Sequence, residues 1–125
     1  MENREVTIRD VNDLQVYKKA YAISLQIHHL SFTLPTAEQH ELAGQMRRAS
    51  KGICANLAEG FGKQSVSKVE FKRFILMAIG SADEMRLWLQ YGLDLNYLDR
   101  KTILDAQQTY KDIAKMLTGL HQKWG

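Results

Sequence analysis

The ten residues from Asn56 to Ser65, "NLAEGFGKQS", admit two readings, and the choice between them decides the fold. Gly60, Gly62 and Lys63 suggest a phosphate-binding loop, which belongs to an α/β protein. The same residues suit the end of an α-helix. A phosphate loop of the Walker type needs a glycine, four residues, then Gly-Lys and a hydroxyl residue. Counting back from Gly62-Lys63 puts Leu57 where the first glycine belongs, and Gln64 stands where the magnesium-binding hydroxyl should be. No strand pattern precedes the stretch. The helix reading stands: Gly60 or Gly62 is expected to take a left-handed conformation that closes a helix, with Lys63 near its negative end.

Outward from this point, helical periodicity runs through the chain in both directions. Upstream, Leu42, Met46, Ala49, Ile53 and Leu57 recur in steps of three and four. Thr36 is the expected cap of this second helix, with Glu38 and Glu41 near its first turn. A first helix is expected from about Asn12 to Ser31, ended by Thr33-Leu34-Pro35. Its core face is read as Tyr17, Ala20, Tyr21, Ser24, Ile27 and His28. Downstream, Ser67-x-x-Glu70 forms a capping-box pattern. Phe71, Phe74, Ile75, Ala78, Ala82, Met85 and Leu89 then share one face of a third helix. After a break at Leu95-Asn96-Tyr97-Leu98, Asp99 is the expected cap of a fourth helix, with a stripe of Ala106, Tyr110, Ile113, Leu117, Leu120 and Trp124. Four amphipathic helices with short connections predict an all-α, antiparallel, up-down-up-down four-helix bundle. Residues 1–11 are read as an N-terminal arm and 12–125 as a single domain.

Composition agrees. At 125 residues, 45% hydrophobic and 25% charged, the chain suits one domain with its own core. Cys54 is the only cysteine, which excludes a disulfide framework and a multi-cysteine zinc site. Met1-Glu2-Asn3-Arg4-Glu5 has no signal-peptide core, and no apolar run is long enough to span a membrane, so a cytoplasmic protein is expected.

On a helical wheel centred on Ile53, Gln45, Gly52, Asn56 and Glu59 fall along one flank of the buried face. Asn56 and Glu59 are expected to bond a neighbouring helix and lock the bundle rather than catalyse.

Three segments, "DLQVYKKAYAISLQIHHLSFTLP", "ELAGQMRRASKGICANLAEGFGK" and "EFKRFILMAIGSADEMRLWL", together resemble the four helix bundle protein family. Its members include proteins encoded by intervening sequences in bacterial 23S ribosomal RNA genes. The family pattern is matched by Arg48-Ala49, Ile53, Asn56, Leu57, Ala58, Glu59 and Gly60, and again by Phe74-Ile75, Ala78, Gly80-Ser81 and Glu84. His28 stands where the family commonly has tyrosine, and Cys54 where it often has proline. The resemblance implies a bundle that assembles as a ring, a homopentamer, with no established enzymatic activity and no cofactor. It also implies a distant likeness to the accessory variability protein of diversity-generating retroelements, a basic pentamer that binds nucleic acid.

Two features bear on function. Residues 44–75 hold seven cations (Arg47, Arg48, Lys51, Lys63, Lys68, Lys72 and Arg73) against the acids Glu59 and Glu70, giving +5 within a chain of +3. These cations are read as one basic surface on the second and third helices that binds RNA or DNA phosphates. Behind the core stripe of the third helix, Leu76, Gly80, Leu87 and Tyr91 form a second apolar seam, expected to be a subunit interface. Gly80 in mid-helix makes sense where another backbone approaches. The histidines His28, His29, His40 and His121 lack metal-ligand spacing, and Cys54 reads as a small buried residue, so no metal and no catalytic residue is expected. Three functions remain in order: a nucleic-acid-binding oligomer, a protein-binding scaffold ring, and an enzyme with a site in a subunit groove.

Overall fold

The computed structural model describes residues 8–124, and among them there are four α-helices and no strand: α1 (Gln15–Ser31), α2 (Leu42–Phe61), α3 (Lys68–Asp94) and α4 (Arg100–Lys123). Each helix packs against the next, α4 packs back on α1, and the backbones of the diagonal pairs do not come within 8 Å of each other. This is the up-down-up-down bundle. Met46, Ile53 and Leu57 of α2 are completely enclosed with Phe71, Ile75, Met85 and Leu89 of α3 and Ile103, Tyr110, Ile113 and Leu117 of α4. At one end Phe61, Phe71 and Trp124 meet edge to face, with ring centroids 4.9–6.2 Å apart.

The helix boundaries show which local signals decided them. A separate 3-10 turn, Val11–Asp13, precedes α1, so the helix begins at Gln15 rather than Asn12. In that turn the Asp10 carboxylate accepts from the Asn12 amide (2.8 Å), and the Asp13 carboxylate from the Asp10 amide (3.1 Å). Buried Leu14 is extended (ψ 125°) and breaks the register between turn and helix. Ile8 and Val11, in the segment expected to be a loose arm, pack against the core; residues 1–7 of that arm lie outside the described residues.

Thr36 does not cap α2. Pro35 starts a second 3-10 turn, Thr36–Glu38, and α2 begins at Leu42. The cap is supplied by Glu38, whose carboxylate accepts from the Leu42 amide (3.2 Å) and, through its other oxygen, from the Tyr97 hydroxyl (2.9 Å). The Ser67 hydroxyl accepts from the Glu70 amide (3.1 Å), half of the expected capping box. The other half is not made, because the Glu70 carboxylate turns to Arg73 instead (2.9 Å). Asp99 caps α4 as expected, accepting from the Thr102 amide (3.0 Å).

The core face of α1 is rotated from the expected one. Val16, Ala20, Ile23, Ser24 and Ile27 are buried, whereas Tyr21 is 51% exposed and Tyr17 and His28 lie half-buried at the edge. Aromatic rings counted as apolar in the pattern sit outside because Val16, Ile23 and Ile27 already fill the inward stripe.

The opening stretch is a helix end, but not by a left-handed glycine. No glycine among the described residues has a positive φ; Gly62 has φ −62°. Gly60 lies inside α2, and a Cβ there would come within 2.5 Å of the Phe74 Cβ and 3.1 Å of the Phe71 ring. Gly60 is required by the close approach of α3. The left-handed residue that ends a helix is Asn96 (φ 62°), after α3, where the Tyr97 and Leu98 amides turn back to the Gly92 carbonyl at 2.9 and 3.2 Å.

The α1–α2 connection is tied by Arg47. Its guanidinium donates to the Ser31 hydroxyl (2.8 Å), the Gln39 side-chain carbonyl (3.3 Å) and the Gln39 backbone carbonyl, and lies 4.5 Å over the Phe32 ring. The Gln39 amide in turn donates to the Ser31 and Leu34 carbonyls, both at 3.0 Å.

Two predictions follow from these contacts. Gly60→Ala should destabilise the bundle by about 1–3 kcal/mol through overpacking, although alanine is the better helix former. Gly62→Ala, in right-handed helical geometry with its nearest neighbours at 3.5 Å, should be neutral or slightly stabilising. Urea unfolding of the two variants checks this, and the opposite order would restore the left-handed reading. Similarly, Arg47→Ala should cost roughly 1–3 kcal/mol by stripping partners from Ser31 and Gln39. Arg48→Ala, its exposed neighbour, should stay within about 0.5 kcal/mol of the parent. Equal unfolding midpoints for these two would show that the clamp contributes nothing.

Candidate nucleic-acid interface

The seven expected cations do not form one surface. Arg47 is half-buried in the clamp and is held by groups of this chain. Arg48 and Lys51 are exposed on the outer side of α2, beside an open depression of about 480 Å³ that Gly52 and Ala55 also line. Lys63, in the α2–α3 turn, and Lys68, at the start of α3, are exposed at the tip of that hairpin, with Lys72 half-buried one turn further on. Arg73 is exposed but engaged: it bonds Glu70 at 2.9 Å, lies 4.7 Å over the Phe74 ring and touches the Met77 sulfur at 3.5 Å. That pairing holds the Glu70 carboxyl below its ordinary pKa. It also raises Arg73, with a smaller contribution from Glu59 across the α2–α3 gap.

Lys51 meets the neighbouring helix through His28, with Nζ 3.0 Å from Nδ1. A charged lysine can only donate, so Nδ1 is the acceptor and the proton of the neutral ring resides on Nε2. Partial desolvation first, then the charges of Lys51, His29 and Arg47, hold the His28 pKa below its ordinary value. The ring is therefore neutral at pH 7. Protonation would remove this contact and place like charges together.

The residues of the family pattern serve packing. Asn56 does not reach a neighbouring helix. Its amide donates to the Gly52 carbonyl of its own helix (2.9 Å), because the small α2 flank brings α3 too close for a side chain to extend between them. The Ser81 hydroxyl lies 3.0 Å from where a Cβ of Gly52 would be, and Gly60 receives Phe74 two turns along. Glu59 and Glu84 are both exposed, and Glu59 acts on Arg73 of α3 by charge rather than by a bond between the helices.

On α3, the second seam faces outward. Leu76, Leu87 and Tyr91 are 54%, 49% and 49% exposed, and a Cβ on Gly80 would meet no atom within 4 Å. Their apolar surface is left over by the bundle and does not fill it.

Among the described residues no group of three His, Cys, Asp or Glu side chains could hold a metal ion. Burial pushes the Cys54 thiol up to about 11, so it stays protonated and is a poor nucleophile. No described helix is long and apolar enough to cross a membrane.

Pattern counting assigned Tyr21 to the core and left Phe32 unassigned. Both are more than half exposed; Phe32 lies under Arg47 in the clamp, and Tyr21 stacks on Tyr17 further up α1. A signal was present: α1 contains Lys18 and Lys19 and no carboxylate, which is unusual for a helix with a solvated face.

Nothing among curated proteins matches the chain. Among solved structures it is similar to a protein of unknown function from the S23 ribosomal protein family of Bacteroides thetaiotaomicron, with a TM-score of 0.77. The likeness covers 86% of this chain and 96% of the other at 22% identity, which is a likeness of fold. The family described as 23S rRNA-intervening sequence protein matches residues 12–119, all four helices but for the last turn of α4, and the chain belongs to that family.

Proposed function

We propose that the protein is a non-enzymatic, homo-oligomeric bundle that binds nucleic acid through the exposed cations of α2 and the α2–α3 hairpin. The observation that carries this reading is the exposure of Arg48 and Lys51 on α2, whose one carboxylate, Glu59, acts toward Arg73, with Lys63 and Lys68 exposed at the hairpin tip beside the Arg73-paired Glu70. Exposed cations attract a phosphate backbone, and affinity grows with the number of phosphates contacted. Such contacts position a nucleic acid without reading its bases. The buried, protonated Cys54 and the Glu70–Arg73 pair supply neither nucleophile nor base, which supports a binding role over an enzymatic one.

Assembly is part of the proposal. The exposed seam of Leu76, Leu87 and Tyr91 with Gly80 gives a second copy an apolar strip and a place for close backbone approach. A ring, pentameric as in the resemblance, would repeat the cationic edge in every subunit. A scaffold ring that binds only protein uses the same seam and is distinguished by the absence of phosphate affinity.

Two measurements test these statements. Retention of RNA or DNA should be strong at about 50 mM salt and fall by orders of magnitude by about 200 mM. Reversal of Arg48, Lys51, Lys63 and Lys68 to glutamate should abolish it with helicity intact, because none of the four is part of the core. Absence of binding by the parent protein at low salt would leave the scaffold reading. Light scattering should give a mass several times 14.4 kDa, reduced by Leu87→Arg, which would bury a charge in a dry contact. A monomer at micromolar concentration would remove the seam argument.

A further inference from the structure

Exposed aromatic rings on a helix without carboxylates need an explanation that charge alone does not give. Tyr21, Leu25 and Phe32 lie on the outer face of α1, 51%, 49% and 57% exposed. Neither large ring is loose. Tyr21 stacks on half-buried Tyr17, with centroids 6.3 Å apart and planes within 16°. Phe32 lies under the Arg47 guanidinium at 4.5 Å, with the His28 ring against it edge-on at 5.1 Å. Cations frame the rings: Lys18 is exposed three residues before Tyr21, and across the helix boundary stands Lys51, at 3.0 Å from His28. Neither α1 nor the α2 surface beside it carries a carboxylate of its own; Asp10, ahead of α1, acts on Tyr17, and Glu59, the one acid in the two helices, lies near the far end of α2 and acts toward α3.

We infer that the α1–α2 face is a stacking platform for single-stranded nucleic acid, with bases on Tyr21 and Phe32 and phosphates on Lys18 and Lys51. This rests on the nucleic-acid reading above and specifies its site and the form of the ligand. Aromatic rings beside a cationic track are what a single strand requires, because its bases offer open π-faces. A duplex keeps its bases stacked inside and presents mainly phosphate, to which Tyr21 and Phe32 contribute little. Charge argues against a second copy of the chain on this face. The surface is mainly cationic, with Asp10 near Tyr17 at one end, and the apolar seam suited to a second copy is on α3, whose backbone does not approach that of α1. Preset rings lower the ordering cost of binding. Tyr21 and Phe32 are eleven positions apart, about 16 Å along the helix axis, enough for the two rings to take different bases of one strand. Stacking and phosphate pairing use parts common to RNA and DNA, so both single strands should bind with similar affinity.

The test uses the full chain with labelled oligo(U), oligo(dT) and a duplex of mixed sequence. Tyr21→Ala and Phe32→Ala should each weaken both single strands roughly tenfold or more. They should leave duplex binding and the slope of log affinity against log salt unchanged. Tyr21→Phe should retain single-strand affinity, and Lys51→Gln should instead lower the slope by about one. Oligomer mass and helicity are measured for every variant. The inference is overturned if the alanine variants bind single strands as the parent does, if they lose duplex and single strand equally, or if they lose oligomer mass, which would make this face a subunit contact. Binding lost only on reversal of the cations would leave the proposed function standing and remove the platform. A parent protein that binds none of the three probes removes both.

Discussion

The bundle depends on how closely α2 and α3 approach. At Gly60 the backbone of α2 lies against Phe74 with no room for a methyl group, and at Gly52 it lies against the Ser81 hydroxyl. Between them Asn56 folds back onto the Gly52 carbonyl rather than projecting into the gap. Two glycines and a self-satisfied amide, spaced four residues apart, make one smooth flank along two turns of helix. That flank sets the interhelical distance, and the core follows from it: Phe71 and Phe74 reach α2 because nothing stands between, and Phe71 then meets Phe61 and Trp124 to close one end. A larger side chain at Gly60 would separate the hairpin and loosen that aromatic cluster with it.

Much of this was legible in the sequence, and the failures have particular causes. The stripes of α2 and α3 were readable because leucine, isoleucine and phenylalanine repeat without interruption, and Asp99 because an extended residue before a helical run leaves its side chain free to cap. The reading of Gly60 failed because a left-handed turn and a close helix contact ask for the same residue. Sequence alone does not show which neighbour removes the space for a Cβ. The start of α2 moved from Thr36 to Leu42 because the capping carboxylate of Glu38 is also held by Tyr97, 59 residues away in the chain. The face of α1 was misassigned because tyrosine and histidine fit an apolar pattern equally well inside or at a boundary. Ile103, buried in α4, was missed because it precedes the stripe counted from Ala106.

The cations show the same limit more sharply. A run of positive charge in residues 44–75 looks uniform, yet folding gives its members different work. Arg47 becomes the fastening of a connection, since its planar fork matches three acceptors at once. Arg73 is neutralised locally by Glu70, three residues before it on the same helix. Lys51 is held by a neutral histidine and so keeps its charge available outward. The residues left over, Arg48, Lys51, Lys63 and Lys68, face solvent without a salt bridge among the described residues, and Lys63 still acts at a distance on Glu70. Net charge over a segment overstates the surface that remains for a phosphate.

The two unfilled faces of the bundle point in different directions. α1 and α3 are diagonal across the core, with no backbone approach within 8 Å. The apolar seam of α3 and the cationic, aromatic face of α1 are therefore on opposite sides of one small domain. In the proposed assembly a copy that docks by its α3 seam onto a neighbour surface other than α1 would leave the α1 faces open, and each added subunit would bring another platform. Linked sites of this kind act on one long strand as successive intramolecular contacts, and the gain comes from effective concentration without any new contact chemistry. In the proposed assembly a modest affinity at each α1 face would suffice for firm retention of a strand long enough to pass from one subunit to the next, while a short strand that reaches a single face would be held only by that face.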